Sequence, residues 1–267
     1  MTKLLGAEVG MVGHGTYVKY MELARAATEL GKQDQIDQLR YSLAMSHYAT
    51  EEGQGDNLMF IGGLGVLGNI VGKLGVSSIS KWRGTRDIDV ALRDKASIHL
   101  VENSFDVLDV SSKSLSIPNK MTIRGYSTDA DNHQLRAATV DAYVPGGKPS
   151  QGIYINGLTL LPIHWAESRR ADFFGINMNC LDPMTLLGMK LDVDTSLKQP
   201  RKQDLEDIAH LFGILESEDT SKKDFRLLLG EKRMSRLKAV LGVVDNYNMN
   251  RTLLIKPSNK YRSKILT

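Results

Sequence analysis

Residues 83–89 read Arg-Gly-Thr-Arg-Asp-Ile-Asp, and the apolar residues Val90-Ala91-Leu92 follow them directly. Two carboxylates at positions i and i+2 of a strand point to the same face of a sheet, so Asp87 and Asp89 would present their oxygens to one point in space. Carboxylate oxygens in such a pair are the ligands that magnesium prefers. This stretch therefore predicts a strand that binds a metal ion at its start.

A pair of glycines, Gly62 and Gly63, stands upstream at the end of the short apolar run Leu58 to Ile61. The run predicts a buried strand, and the segment Leu64 to Leu74 predicts a helix that begins on the glycines. Backbone N–H groups at such a helix start can bind a triphosphate, while the carboxylates hold the metal that neutralises it. The two features together indicate transfer of a nucleotidyl group.

The segment Gly63 to Gly68 also satisfies the pattern G-x-G-x-x-G, which is typical of dinucleotide-binding folds. In such a fold the acidic residue ends an apolar strand, so hydrophobic residues precede it. Here Ser-Lys-Trp-Arg-Gly-Thr-Arg, residues 80–86, precedes the acids and the apolar residues follow them. The order of residues favours the metal site, and a dinucleotide fold is the alternative interpretation of the glycines.

A third carboxylate is expected, because two cations about 4 Å apart repel each other unless several anionic ligands surround them. The best candidate is Asp141, which lies in the β-like run Ala-Thr-Val-Asp-Ala-Tyr-Val of residues 138–144, where a buried charge is otherwise costly. Its alternative interpretation is a carboxylate at a strand end or on the surface. Asp129 and Asp131 are competitors, but their polar setting predicts an exposed loop.

The chain of 267 residues, 42% of them hydrophobic, predicts an α+β protein in three regions. Helices, with a break near Gly31, are expected within residues 1–55, and a small mixed β-sheet that forms the catalytic core within residues 56–160. Residues 161–267 are expected to form a helical domain that ends in two short helices and a frayed tail. Within it, Asp182-Pro183 predicts a helix start, because aspartate is a good N-cap and proline suits the first helical position.

Composition narrows the class of protein further. The single cysteine, Cys180, excludes an intrachain disulfide and a zinc site made of cysteines. No segment approaches 18 consecutive apolar residues, so we expect a cytoplasmic protein that does not contact a membrane. The net charge is +3, yet residues 217–267 carry twelve Lys and Arg against five Asp and Glu. Such a basic tail suits an enzyme that acts on a polyanion, and a solvated helical surface is the alternative interpretation.

The motifs support a resemblance to a known group of enzymes. Residues Phe60 to Leu92 resemble the nucleotidyltransferase superfamily of DNA polymerase β type, whose signature is an apolar residue, Gly, Gly or Ser, and later acid-apolar-acid-apolar. The motif Arg83-x-Thr85-x-Asp87-Ile88-Asp89 resembles more closely the AbiEii/MenT-like toxin nucleotidyltransferases. Members of that family carry a double glycine and then Arg-x-Ser/Thr-x-Asp-apolar-Asp.

A later stretch is similar to the C-terminal pattern of the same family, in which a lysine and an Arg-x-Lys-Asp element complete the site. The matching segments are Asp182-Pro183-x-x-Leu186-Leu187-x-x-Lys190-Leu191 and Arg201-x-x-Asp204-Leu205-x-Asp207-Ile208. The sequence departs from the pattern at Gln203, where the element has lysine, and at Gly65, which replaces the usual alanine. The resemblance spans roughly residues 58–215.

The resemblance implies roles for particular residues. The metal, Mg²⁺ or Mn²⁺, would be bound by Asp87, Asp89 and Asp141, and Asp141 would also serve as the base or as the partner of a metal-bound hydroxyl. Asp204 would orient Lys190 or the acceptor. The nucleoside triphosphate would be contacted by Gly62, Gly63, Arg83, Thr85, Lys190 and Arg201.

The implied reaction moves a nucleoside monophosphate from the triphosphate to an acceptor hydroxyl and releases pyrophosphate. By the same resemblance the acceptor is an RNA, the 3′ end of a transfer RNA, and the protein is a toxin with a cognate antitoxin as its protein partner. A small-molecule acceptor such as an aminoglycoside is the alternative. An inactive relative that only binds RNA or a protein is a third hypothesis.

Overall fold

The computed structural model describes residues 33–104, 106–111, 120–126, 138–146, 152–155, 157–192, 201–246 and 253–266. The strands are β1 (Leu58–Phe60), β2 (Ile88–Leu92), β3 (Asp106–Ser111), β4 (Lys120–Tyr126), β5 (Ala138–Tyr143), β6 (Ile153–Ile155), β7 (Leu158–Leu160), β8 (Arg169–Phe173) and β9 (Ile176–Cys180). The helices are α1 (Gln33–Glu51), α2 (Gly62–Leu74), α3 (His99–Glu102), α4 (Pro162–Ala166), α5 (Pro183–Asp192), α6 (Lys202–Ser217), α7 (Lys222–Asn246) and α8 (Asn259–Leu266). The predicted break near Gly31 lies outside the described residues.

Seven strands form one mixed sheet in the order β3-β4-β5-β2-β1-β9-β8, and β6 pairs with β7 in a separate hairpin. Near the middle, β1 runs antiparallel to β2 and parallel to β9, while β2 runs parallel to β5. All three residues of β1 are buried, and successive side chains of a strand point to opposite faces, so both faces of the sheet are covered here. The predicted α+β class with a mixed sheet is confirmed.

Helix α2 follows β1 directly and packs against β2, β8, β9 and α6. Its close approach depends on two glycines: a Cβ on Gly68 would lie 2.1 Å from Sγ of Cys180, and a Cβ on Gly65 would lie 2.9 Å from the carbonyl oxygen of Phe60. These two members of the G-x-G-x-x-G pattern are therefore needed where the helix meets the sheet. Packing explains their spacing without a dinucleotide.

Strands β8 and β9 differ from the prediction that the chain is helical from residue 161. They form a hairpin whose two-residue connection has positive φ at both positions, 59° at Phe174 and 90° at Gly175. This is the backbone geometry that joins antiparallel strands most tightly. The prediction of helix is wrong for these strands, which widen the sheet beside β1, whereas the division into three regions stays a prediction.

The predicted start of α5 is confirmed, whereas the prediction for the end of the chain is wrong. Asp182 caps α5, since its Oδ1 accepts hydrogen bonds from the N–H groups of Met184 and Thr185 at 3.0 and 2.9 Å. Helix α7 is kinked at Gly230, where φ is 70°, and α8 extends to Leu266. The predicted two short helices and frayed tail are therefore wrong. None of the helices in the described ranges is long and apolar enough to cross a membrane.

Candidate active site

Asp89 of β2 and Asp141 of β5 are register partners in a parallel strand pair. Register partners on adjacent strands point to the same face of the sheet and lie roughly 5 Å apart. Asp87 comes just before β2 and is exposed, and its Oδ1 accepts a hydrogen bond from Oγ1 of Thr85 at 2.9 Å. The fold thus brings the third predicted carboxylate next to the acid pair, although it comes from a distant part of the sequence.

The two faces of the sheet differ sharply at this position. On β5, Val140 and Ala142 are buried, whereas Thr139 and Asp141 on the opposite face are only partly buried. The residues of β4 that face this side are polar as well: Lys120 lies opposite Tyr143, Thr122 opposite Asp141 and Arg124 opposite Thr139. The acids therefore stand on a polar face that is partly exposed to solvent.

The negative charges of Asp87 and Asp141 act on Asp89. The pKa of Asp89 is raised to about 7, first by burial and then by the negative charges of Asp87 and Asp141, while the positive charges of Lys190 and Lys120 lower it. Burial followed by the same three acids also raises the pKa of Tyr143. Mutual repulsion of this kind is what a divalent cation relieves, and carboxylates are the chemical kind of ligand that Mg²⁺ and Mn²⁺ bind.

Asp141 has two close contacts on β4. Its Oδ2 lies 2.6 Å from Nζ of Lys120, and its Oδ1 accepts a hydrogen bond from Oγ1 of Thr122 at 2.7 Å. Within the part of the chain that the structure describes, no group of three His, Cys, Asp or Glu side chains is arranged to hold a metal ion. The carboxylates are thus chemically suited to a divalent cation and lie on one face of the sheet. Both oxygens of Asp141, however, already contact side chains of β4.

The glycine pair lies against these acids. Gly62 has a φ of 59°, and a Cβ on it would lie 2.2 Å from Oδ2 of Asp89. Only glycine allows the carboxylate to lie this close to the helix start. A Cβ on Gly63 would lie 3.0 Å from Oγ1 of Thr85, and no described side chain caps α2. The first N–H groups of the helix therefore lie beside Asp89 without a side-chain cap, where Gly62 is partly exposed and Gly63 is buried.

A second cluster of charged residues lies beside the helix start, and it centres on Asp207 of α6. This carboxylate accepts hydrogen bonds from Nε and Nη2 of Arg83 at 3.1 and 2.6 Å, and it pairs with Nζ of Lys190 at 2.7 Å. Asp204, one helical turn earlier, pairs with Lys190 at 3.1 Å and with Arg201 at 2.7 Å. Asp204 thus contacts the lysine that it is predicted to orient.

Asp207 and Lys190 are charged although both side chains are largely buried. Burial raises the pKa of Asp207, but the charges of Lys190 and Arg83 and the hydrogen bonds from both outweigh burial and lower it. For Lys190, burial lowers the pKa, and the charges of Asp207 and Asp204 outweigh it and raise the pKa. A Cβ on Gly63 would lie 3.5 Å from Nη2 of Arg83, so this guanidinium lies next to the predicted triphosphate position.

The structure therefore brings the predicted site residues to two adjoining clusters around the start of α2. The side chains of Lys190 and Asp204 are 11% and 3% exposed, so both are largely buried. The competing carboxylates Asp129 and Asp131 lie outside the described residues. The roles of all these residues in binding and catalysis stay predictions.

Sequence reasoning did not assign a role to Asp207, Lys120, Thr122 or Tyr143. Asp207 stands three residues after Asp204 in a helical segment, so its position on the same helix face could have been read from spacing. The residues of β4 and β5 depend on the register between two strands. No local pattern in the sequence specifies that register.

Comparisons with known proteins add a distant similarity of fold. No protein-family model matches the chain, and no curated protein matches it in sequence. Solved structures that are similar to it include the following three. A protein of H. pylori, described provisionally as a nucleotidyltransferase, is 14% identical, with 83% of this chain and 85% of that chain covered and a TM-score of 0.44. An antigenic nucleotidyltransferase-like protein from Paracoccidioides brasiliensis is 12% identical, with 85% and 97% covered and a TM-score of 0.44.

The third is the antibiotic-resistance factor ANT(2'')-Ia, which is 11% identical, with 80% of this chain and 98% of that chain covered and a TM-score of 0.41. Similarity at this level assigns neither a family nor an activity. The functional argument therefore depends on the residues of the site.

Proposed function

We propose that this protein is a metal-dependent nucleotidyltransferase, which moves a nucleoside monophosphate from a nucleoside triphosphate to an acceptor hydroxyl and releases pyrophosphate. The observation that supports it best is that Asp89 and Asp141 lie opposite each other on adjacent strands, with Asp89 next to Gly62 at the start of α2. This arrangement joins carboxylates that suit divalent cations to N–H donors that suit phosphate oxygens.

The proposed roles follow from position and charge. Asp87, Asp89 and Asp141 would hold Mg²⁺ or Mn²⁺, which when bound neutralises negative charge on the phosphates. Gly62, Gly63 and Thr85 shape the helix start on which the triphosphate would lie, with positive charge supplied from the adjoining cluster, which contains Arg83, Lys190 and Arg201. Asp141 lies on the partly exposed polar face, and it would accept the proton of an acceptor hydroxyl that approaches there.

A labelling experiment tests the activity. The full chain is incubated with each of the four α-³²P-labelled nucleoside triphosphates, Mg²⁺ and either total RNA or a pool of aminoglycosides. We expect transfer of label by the wild type and loss of transfer in Asp87→Ala, because that change removes a metal ligand. Asp56→Asn is the matched control, since this carboxylate is exposed and pairs with Arg170 away from the acids. Absence of transfer to any acceptor by folded wild type would favour a binding protein.

We propose further that the acceptor is an RNA, in particular the 3′ end of a transfer RNA, and that the protein is a toxin with an antitoxin partner. The sequence resemblance supports this, and so does the excess of basic residues near the C-terminus. Exposed cations are distributed along α7 and α8: Lys223, Arg226, Lys232, Lys238, Lys260 and Lys264. Several such contacts to phosphates predict strongly salt-dependent affinity.

Salt dependence separates the two acceptor classes. Affinity for an RNA acceptor should fall by at least about 100-fold between about 50 and about 200 mM salt, because counterions are released from the phosphates on binding. A small acceptor should lose much less affinity over the same range. Binding of fluorescent transfer RNA by anisotropy, at several salt concentrations, gives the slope directly.

A further inference from the structure

We propose that Lys120 is an internal counter-ion of the acidic site, which competes with the divalent cation for Asp141 and thereby sets the affinity of the site for metal. This inference rests on the proposed function, because it concerns the same carboxylates. It gives a role to a residue outside the motifs that indicate nucleotidyl transfer.

The contacts of Asp141 provide the first argument. The ammonium group of Lys120 lies 2.6 Å from Oδ2, and the hydroxyl group of Thr122 donates to Oδ1 at 2.7 Å. Both oxygens that could bind a metal ion therefore have a partner on β4. Each oxygen keeps a second lone pair, but a metal ion bound at Oδ2 would stand beside the ammonium group, and the two positive charges would repel each other.

The charges of the site provide the second argument. Asp87, Asp89 and Asp141 repel one another, and Lys120 is a cation in direct contact with Asp141. Its charge also reaches the neighbouring strand, where it lowers the pKa of Asp89. The lysine thus supplies part of the positive charge that a divalent ion would supply in full.

The surroundings of Lys120 allow the exchange. The side chains of Lys120 and Asp141 are 20% and 15% exposed, so the ammonium group can return to water without crossing the core. In this ion-paired position its nitrogen also lies 5.7 Å from the centre of the Tyr143 ring. In the exchange the lysine leaves with its proton, and the two positive charges of the metal replace its single charge.

Binding of Mn²⁺ to the full chain, without nucleotide, tests the inference. Titration calorimetry, or the EPR signal of free Mn²⁺, is recorded for wild type and for Lys120→Met, which keeps the apolar length of the side chain but removes its charge. We expect Kd for Mn²⁺ to fall at least about tenfold, the factor that corresponds to one ion pair of about 1.4 kcal/mol. Lys120→Gln is a second uncharged variant in case the first does not fold.

Arg124→Met is the matched control, because Arg124 lies on the same face of β4 but opposite Thr139 rather than Asp141. Removing this guanidinium changes the electrostatic potential at the three acids but does not remove a cation that is paired with Asp141. The Kd of Arg124→Met for Mn²⁺ should therefore stay within about threefold of the wild-type value. Equal gains in the Lys120 and Arg124 variants would contradict direct competition.

The remaining outcomes separate the inference from the proposed function. If wild type binds Mn²⁺ and the Lys120 variants bind it equally or more weakly, competition is refuted and the metal site stands. If no folded variant binds Mn²⁺, the metal site and the proposed transferase activity are both refuted. Tight binding by the Lys120 variants alone would support the inference most strongly.

Discussion

Replacing Asp89 by asparagine should stabilise the metal-free protein, and the gain should grow as the pH rises. Burial, followed by the charges of Asp87 and Asp141, raises the pKa of Asp89 from its ordinary value of 3.8 to about 7. For an acid whose pKa is raised on folding, the stability is fully present below its unfolded pKa and is lost as the pH rises through the folded one. The ionised carboxylate thus destabilises the fold above about pH 7.

The size of the effect follows from the two pKa values. A rise from 3.8 to about 7 corresponds to about 4 kcal/mol in the free energy of unfolding. Asp89 is only partly buried, so water reduces this figure, and we expect about 2 to 4 kcal/mol at high pH. Part of this destabilisation is already present at pH 5. The stability advantage of Asp89→Asn over wild type should therefore increase by about 1 to 3 kcal/mol between pH 5 and pH 8.

Urea denaturation of wild type and Asp89→Asn, in buffers that contain a chelator, measures this increase. The exposed control Asp56→Asn should stay within about 0.5 kcal/mol of wild type at both pH values. A constant difference between wild type and Asp89→Asn across the pH range would refute the reasoning, as would a variant that is less stable at pH 8. Adding Mg²⁺ at 100 times its Kd should stabilise wild type at pH 8 by about 2.7 kcal/mol and the variant by less.

Two further substitutions test the packing and the ion pairs. Gly62→Ala would place a Cβ 2.2 Å from Oδ2 of Asp89 at a φ of 59°, so we expect a loss of about 1 to 3 kcal/mol by denaturation and loss of nucleotidyl transfer. Gly72→Ala, in the same helix but with no heavy atom within 4 Å, should be neutral or slightly stabilising. Asp207→Asn leaves two cations without their buried carboxylate and should cost about 3 kcal/mol. Asp219→Asn, which breaks an exposed ion pair, should cost less than about 1 kcal/mol. A substitution that costs no more than its control would contradict the corresponding contact.

Local patterns in the sequence were sufficient for the first half of the site. The alternation of β2 placed Asp89 on a polar face, and the Asp182-Pro183 pair marked the start of α5 correctly. These features depend on neighbouring residues alone, because the period of a strand and the capping of a helix are decided within a few positions. The helical prediction beyond residue 160 failed at the β8–β9 hairpin, where pairing with the sheet decided the structure.

The second half of the site depends on contacts between distant segments. Asp141 was identified as a candidate from its setting, but only the parallel register of β2 and β5 brings it opposite Asp89. The ion pair with Lys120 depends in the same way on the register of β4 and β5. A shift of one residue would turn these side chains to the other face, and hydrogen bonding along a strand does not by itself prevent it.

The sequence by itself determined the kinds of groups in this protein: a glycine helix start, an acid pair on one strand and a charged segment later in the chain. The tertiary structure decided which of them meet, and it placed Arg83 and Lys190 on the buried Asp207. The physical reason is the distance along the chain over which each interaction acts. Propensity and periodicity act over a few residues, whereas burial and electrostatic repulsion act between groups that only the fold brings close together.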